Sequence, residues 1–189
     1  MQTSALIVSA PSGTGKTTIL NRLFDIFPNT FSFSVSATTR QKRESETHGK
    51  HYYFLSQEEF DEKVRNGDFL EYENVYQGLS YGTLKSEIQR INSLEKIAVF
   101  DVDVKGGINI KQQLEDKAVS VFFMPPSIEE LKQRLLSRKT ETVESLNIRI
   151  KRANMEISYA EKFDKIIIND DLDRATQELI DFVKEEFLI

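Results

Sequence analysis

Cysteine is absent from this chain of 189 residues, which excludes disulfides, thiolate catalysis and zinc–thiolate centres. Histidine is nearly absent: His48 and His51 stand in a polar stretch and read as solvated loop residues, not catalytic groups. No apolar run approaches the ~20 residues that a membrane span requires. The first residues show neither a basic region nor a long apolar segment, so no secretory signal is readable, and the protein is expected in the cytoplasm. Repeats and low-complexity tracts are missing as well. Excess positive charge is also lacking: the net charge of −5 argues against generic nucleic-acid binding. The length suits one domain with insertions, and 39% hydrophobic and 29% charged residues suit a soluble globular protein.

The charge is unevenly spread. Residues 132–152 carry +5 and residues 36–51 carry +2, so the rest of the chain carries −12. Two local basic patches in an acidic protein fit a small polyanionic ligand better than a long one.

Residues 5–18 carry the strongest chemical signal. Ala5–Val8 is a short apolar run with the character of a buried strand, and Ile19, Leu20, Leu23, Phe24 and Phe27 recur on one face of a following helix. Between them lies Gly13-Thr14-Gly15-Lys16-Thr17, the core of a phosphate-binding loop. Glycines let successive N–H groups point at phosphate oxygens where a Cβ would collide. The helix starting at Lys16 adds its positive dipole end. Lys16 is expected to reach the terminal phosphates and the Thr17 hydroxyl to ligate Mg²⁺. Ala10 stands where the full pattern has its first glycine, which is tolerable if that residue keeps negative φ. An ordinary Gly/Ser turn is the bland alternative, disfavoured by the strand–loop–helix context. The chain is expected to bind a nucleoside triphosphate.

Strands and helices then alternate. Phe31–Val35 is a second strand candidate. From Ser36 to Thr83 the texture changes: Tyr52–Leu55 and Phe69–Tyr76 read as strands around a polar helix Gln57–Asn66 stopped by Gly67, with tyrosines concentrated there. This reads as an inserted, partly antiparallel lobe. Helices follow at Leu84–Leu94 and Val104–Leu114, and strands at Ile97–Phe100 and Val119–Met124. Ser127 and Glu130 form a capping-box pattern for a helix to about Arg138, Lys139–Ser145 is a polar break, and a long helix runs to about Tyr159. Ile166–Ile168 is the last strand before a closing amphipathic helix. Short all-apolar strands separated by helices predict an α/β fold with a central parallel sheet flanked by helices.

In such sheets ligands bind at the carboxyl ends of strands, where the Gly13–Lys16 loop, Asp101 and Asn169 all fall. An Asp at a strand end is ordinarily a cap or turn residue, but beside Lys16 and Thr17 it is a candidate Mg²⁺ holder. Arg134, Arg138 and Arg149 flank the polar break. A solvated charged face is the usual reading of such residues, whereas a lid arginine would stabilise charge on a transferring phosphoryl group. The stretch Ser36-Ala37-Thr38-Thr39-Arg40-Gln41-Lys42-Arg43 could grip a second phosphate, so the acceptor is expected to be a phosphate. A phosphate monoester is largely dianionic at pH 7, its second pKa being about 6. It needs no general base, and no convincing base is present.

Ala10–Thr18, Ser34-Val-Ser-Ala-Thr-Thr-Arg40, Gly49-Lys-His-Tyr-Tyr-Phe-Leu55, Phe69-Leu-Glu71, Tyr81-Gly-Thr83, Asp101-Val-Asp103 and Ile168-Asn-Asp-Asp171 together resemble the guanylate kinase family. The resemblance spans residues 5–187 with all motifs in family order. It implies the P-loop nucleoside monophosphate kinase fold: a core of residues 1–35 and 84–189, a lid at about 139–149, and a GMP-binding lobe at 36–83. It implies ATP and GMP (with dGMP) as ligands, Mg²⁺ as cofactor, and a monomer or small homo-oligomer that binds neither nucleic acid nor membrane. Carried onto matching positions, Ala10, Pro11, Ser12, Gly13, Thr14, Gly15, Lys16, Thr17, Thr18 and Asn169 would bind ATP, and Thr17 and Asp101 would hold the metal. Ser36, Glu71, Thr83 and Asp103 would read guanine, and Arg40, Arg43, Tyr52 and Tyr81 would hold the GMP phosphate. Lys16, Arg134, Arg138 and Arg149 would act in catalysis. Ala10, Lys105 (where glutamine is common) and Lys139 (where glycine is common) depart from the pattern. Two other readings remain: a P-loop kinase for a different phosphorylated small molecule, and an inactive phosphopeptide-binding module of the same fold. Glu71 with Ser36 argues against the first, and the complete phosphate loop argues against the second.

Overall fold

The computed structural model describes residues 4–74, 78–137 and 143–189. Five strands form an all-parallel sheet: β1 (Ala5–Ser9), β2 (Phe31–Phe33), β7 (Ile97–Asp101), β8 (Ala118–Met124) and β9 (Lys165–Ile168), in the order β2-β7-β1-β8-β9. The central strand pairs on both sides, with Ala5 opposite Ala98 and Ala118. Successive residues of β1 point to opposite faces. Leu6 and Val8 meet α1 (Lys16–Ile26) and α7 (Leu172–Phe187) through Leu20, Leu23, Leu179 and Val183. Ala5 and Ile7 meet α3 (Lys85–Asn92) and α4 (Val104–Leu114) through Ile91 and Ile110. Both faces are covered, which is why the strand is apolar from Ala5 to Val8 rather than alternating. Among the described residues no helix is long and apolar enough to cross a membrane.

A second sheet has the order β4-β3-β6-β5, built from β3 (Ala37–Thr38), β4 (Tyr53–Phe54), β5 (Phe69–Asn74) and β6 (Ser80–Leu84). It mixes one parallel pair, β3 with β4, and two antiparallel pairs, β3 with β6 and β5 with β6. Phe60 of α2 (Gln57–Arg65) packs against Phe69, their ring centroids 4.5 Å apart, and closes a small separate core with Ala37 and Leu84.

Several expected boundaries shift. The strand expected over Phe31–Val35 stops at Phe33, and Ser80–Leu84 is a strand that the alternation pattern did not mark. The helix α6 (Val143–Ile157) begins inside the expected polar break, so Glu144 and Ser145 are helical, while Arg138 and Lys139 lie outside the described residues, as does Tyr76. At α5 (Ile128–Leu136) only half of the expected capping box is used. Ser127 accepts from the Glu130 N–H at 3.0 Å, while the Glu130 carboxylate accepts from Arg134 at 3.1 Å. The full reciprocal box forms instead at Ser56 and Glu59, ahead of α2.

Candidate active site

The phosphate loop follows β1 and ends in α1, whose N-cap is Gly15. Gly13 and Gly15 have φ of 95° and 96°, which favours glycine at both. A Cβ on Gly15 would lie 2.5 Å from Asn169 Nδ2. That amide donates to the Thr14 carbonyl at 2.6 Å, so the end of β9 braces the loop across 155 residues of chain. Ala10 is not among the positive-φ residues, which meets the condition under which alanine is tolerated there. A cavity of about 1300 Å³ opens over the loop. Ala10 through Thr18 line it, together with Asp101, Asp103 and Arg149. Thr17 and Thr18 are exposed in it. Lys16 forms a direct ion pair with Asp101 at the end of β7, so two of the strand-end candidates meet.

Asp103 caps α4: its Oδ1 accepts from the Gly106 N–H at 2.9 Å. Arg152 of α6 approaches Oδ2 at 3.4 Å and donates through Nε to Glu156 at 2.9 Å. Burial pushes the Glu156 carboxyl above its usual range, against the pull of Arg152. Burial and the neighbouring Asp103 also push Glu73 up, and Lys105 stands 3.9 Å from it. Arg152, Glu156 and Glu73 line the cavity but were not singled out from the sequence. The i, i+4 spacing of Arg152 and Glu156 is a pairing signal that could have marked that pair.

Glu71 and Thr83 face each other across β5 and β6, the Thr83 hydroxyl donating to Glu71 Oε1 at 2.8 Å. A Cβ on Gly106 would lie 3.2 Å from Glu71 Oε2 and 3.5 Å from Asp103 Oδ1, so the two carboxylates converge on the start of α4. Burial raises the Glu71 carboxyl, and Asp103 and Glu73 add to the rise against the Thr83 hydrogen bond.

Arg40, Tyr52 and Tyr81 form a second group. The Arg40 guanidinium lies 5.4 Å from the Tyr52 ring centroid, and the Tyr52 and Tyr81 rings meet edge to face at 6.1 Å. Glu46 holds Arg40 through two hydrogen bonds of 3.0 and 2.7 Å and accepts the Arg43 backbone N–H at 2.8 Å. These contacts, led by Arg40, lower the Glu46 carboxyl to about 2. Burial raises the Tyr52 phenol. The Arg43 side chain is exposed, and Ser36, half-buried, accepts the Tyr53 N–H through its carbonyl at 2.9 Å.

Two of the three expected lid arginines are described. Arg149 donates to Ser12 Oγ at 2.8 Å, bringing α6 onto the loop. Arg134 donates to the Asn169 carbonyl at 3.0 Å and so faces the loop from the β9 side. The loop, Asp101, Asp103 and Arg149 thus share one cavity, while Arg134 and Asn169 are not among the residues that line it. Ser36, Arg40, Arg43, Tyr52, Glu71, Tyr81 and Thr83 belong to the second sheet or the stretches leading into it and lie outside the residues that line the cavity. Thr17 and Asp101 offer hard oxygen donors beside the lysine, a donor set that suits Mg²⁺.

The family model described as guanylate kinase matches residues 2–186. The chain is 47% identical over 184 residues to guanylate kinase from Bacteroides fragilis, covering 97% of this chain and 90% of that one. It is 46% identical over 177 residues to guanylate kinase from Porphyromonas gingivalis, covering 94% of each. In structure it resembles guanylate kinase from Anaplasma phagocytophilum, with a TM-score of 0.74, 29% identity, and 100% of this chain and 88% of that one covered.

Proposed function

The chain belongs to the guanylate kinase family and transfers the γ-phosphoryl group of ATP to GMP, and from that premise we propose how its residues divide the work. On the donor side, residues 10–18 cradle the triphosphate, with the start of α1 supplying N–H groups and its dipole. Asn169 serves the adenine side while bracing Thr14. Lys16 exchanges its Asp101 partner for the β- and γ-phosphates as ATP enters.

On the acceptor side, Glu71, Asp103, Thr83 and Ser36 read guanine. Its N1–H and N2–H₂ are donors, and the converging carboxylates of Glu71 and Asp103 are acceptors. Arg40, Arg43, Tyr52 and Tyr81 hold the phosphate. That phosphate attacks as the dianion, so the obstacle is repulsion between two anions rather than proton removal. Lys16, Arg134, Arg138 and Arg149 offset that charge. Thr17 and Asp101 are the residues that would hold Mg²⁺, which when bound neutralises phosphate oxygens.

The observation that carries this reading is the meeting of the phosphate loop, Asp101, Asp103 and Arg149 around one cavity. Steady-state kinetics of two variants test it. Arg149→Ala should lower kcat on the order of 10³-fold with little change in KM for GMP. Arg43→Ala should chiefly raise KM for GMP. A kcat close to the parent's in Arg149→Ala would remove the lid from the mechanism.

A further inference from the structure

Glu87, in the first turn of α3, is buried to 1% exposure and takes no part in the transfer described above. Four donors converge on its carboxylate: the Val35 N–H at 2.7 Å, the Tyr53 hydroxyl at 2.7 Å, and Arg90 Nε and Nη2 at 2.8 Å each. Arg90 Nη2 also donates to the Phe33 carbonyl at 3.0 Å. Burial pushes the Glu87 carboxyl up, but the hydrogen bonds from Arg90, Val35 and Tyr53 outweigh it and hold it below its usual range. A buried carboxylate so fully satisfied is a rigid joint, because each partner lost would leave charge uncompensated.

The joint ties three separate pieces of chain: the exit of β2, the strand β4 and the start of α3. Two of the tied residues adjoin a proposed GMP ligand. Val35 precedes Ser36. Tyr53 follows Tyr52, which lies just before β4, and because successive residues of extended chain point to opposite sides, anchoring Tyr53 on α3 aims Tyr52 the other way, towards Arg40 and Tyr81. The Tyr53 N–H in turn donates to the Ser36 carbonyl at 2.9 Å, closing the frame. We infer that Glu87, acting through Val35 and Tyr53, is a positioning residue for GMP, holding Ser36 and Tyr52 in place before the nucleotide arrives. The inference rests on the assignment of the second sheet to GMP. A site ordered in advance spares the ligand that ordering cost, so losing the joint weakens GMP binding and leaves the chemical step alone.

The test is steady-state kinetics and melting temperature for Tyr53→Phe, Glu87→Gln and the double variant, with Arg43→Ala alongside. Tyr53→Phe keeps the ring and removes one hydrogen bond. It should raise KM for GMP about fivefold, with kcat and KM for ATP within about twofold. Glu87→Gln should do the same, and the double variant should add little beyond the worse single change, since both break one joint. If Arg43→Ala raises KM for GMP and Tyr53→Phe does not, the positioning role is wrong. If KM for ATP or kcat changes as much as KM for GMP, or the two changes add fully, Glu87 only supports the fold and the inference fails. If Arg43→Ala also leaves KM for GMP unchanged, the GMP assignment of the second sheet falls first and takes this inference with it.

Discussion

Replacing Glu71 by glutamine separates base reading from phosphate gripping. In the free enzyme Glu71 Oε1 already accepts the Thr83 hydroxyl at 2.8 Å, and Oε2 lies at the start of α4 beside Asp103. Guanine brings two donors to this carboxylate. Glutamine keeps the volume but turns one acceptor into an NH₂ group, and because N1–H and N2–H₂ would each use one of the two oxygens, that NH₂ confronts a guanine N–H whichever way the amide points. Thr83 can adapt by rotating its hydroxyl, whereas the base cannot. One mispaired buried donor together with the lost negative charge costs about 2 kcal/mol, or roughly 30-fold in kcat/KM for GMP. IMP lacks the N2 amine, meets one fewer clash and should lose less, so discrimination between GMP and IMP should shrink. Burial already opposes the charge on Glu71, so the free variant should melt no lower than the parent, which separates a binding loss from unfolding. The assay is coupled ADP release with GMP and IMP titrated separately. An unchanged GMP/IMP ratio of kcat/KM would refute base reading by Glu71, whatever the absolute rates.

The same geometry makes two further predictions. Gly15→Ala places a Cβ at φ of 96° and 2.5 Å from Asn169 Nδ2, straining the backbone by about 2 kcal/mol. The melting temperature should fall by about 4–8 °C and KM for ATP should rise, and a melting shift below about 1 °C would contradict the strain. Glu46→Gln tests the brace on Arg40. The Glu46 carboxyl titrates near 2 when folded against 4.5 otherwise, so between those values the unfolded chain binds more protons and stability rises with pH. The variant's melting deficit should be full above about pH 4.5 and shrink as pH falls towards 2. A deficit that stays constant over that range would mean that the Arg40 pair is not its source.

Local chemistry determined much of this protein in advance. The alternation of short apolar strands with amphipathic helices is enough to predict a parallel sheet covered on both faces, because each layer must bury its own apolar residues. The phosphate loop is legible for the same reason: positive φ at Gly13 and Gly15, a following helix and Lys16 are contiguous, so their chemistry is written in five adjacent letters. The strand Ser80–Leu84 escaped the periodicity because Gly82 interrupts it. A Cβ there would lie 2.8 Å from the Glu71 carbonyl and from the Phe69 ring, a contact made only once β5 is in place. Strand-end position already placed Asp101 and Asn169 near the phosphate loop, where Lys16 pairs with Asp101 and Asn169 with Thr14, but the pairings of Arg149 with Ser12 and of Val35 and Tyr53 with Glu87 were invisible. An isolated carboxylate or arginine in a helix reads as solvated surface, because charge is ordinarily left in water unless a partner arrives. What brings the partner is the order of strands in the sheet, the way α3 lies against it and the way α6 packs on α5. Residue type and spacing therefore settled which chemistry was available, and only tertiary packing decided which charges are buried, paired and aimed at one another.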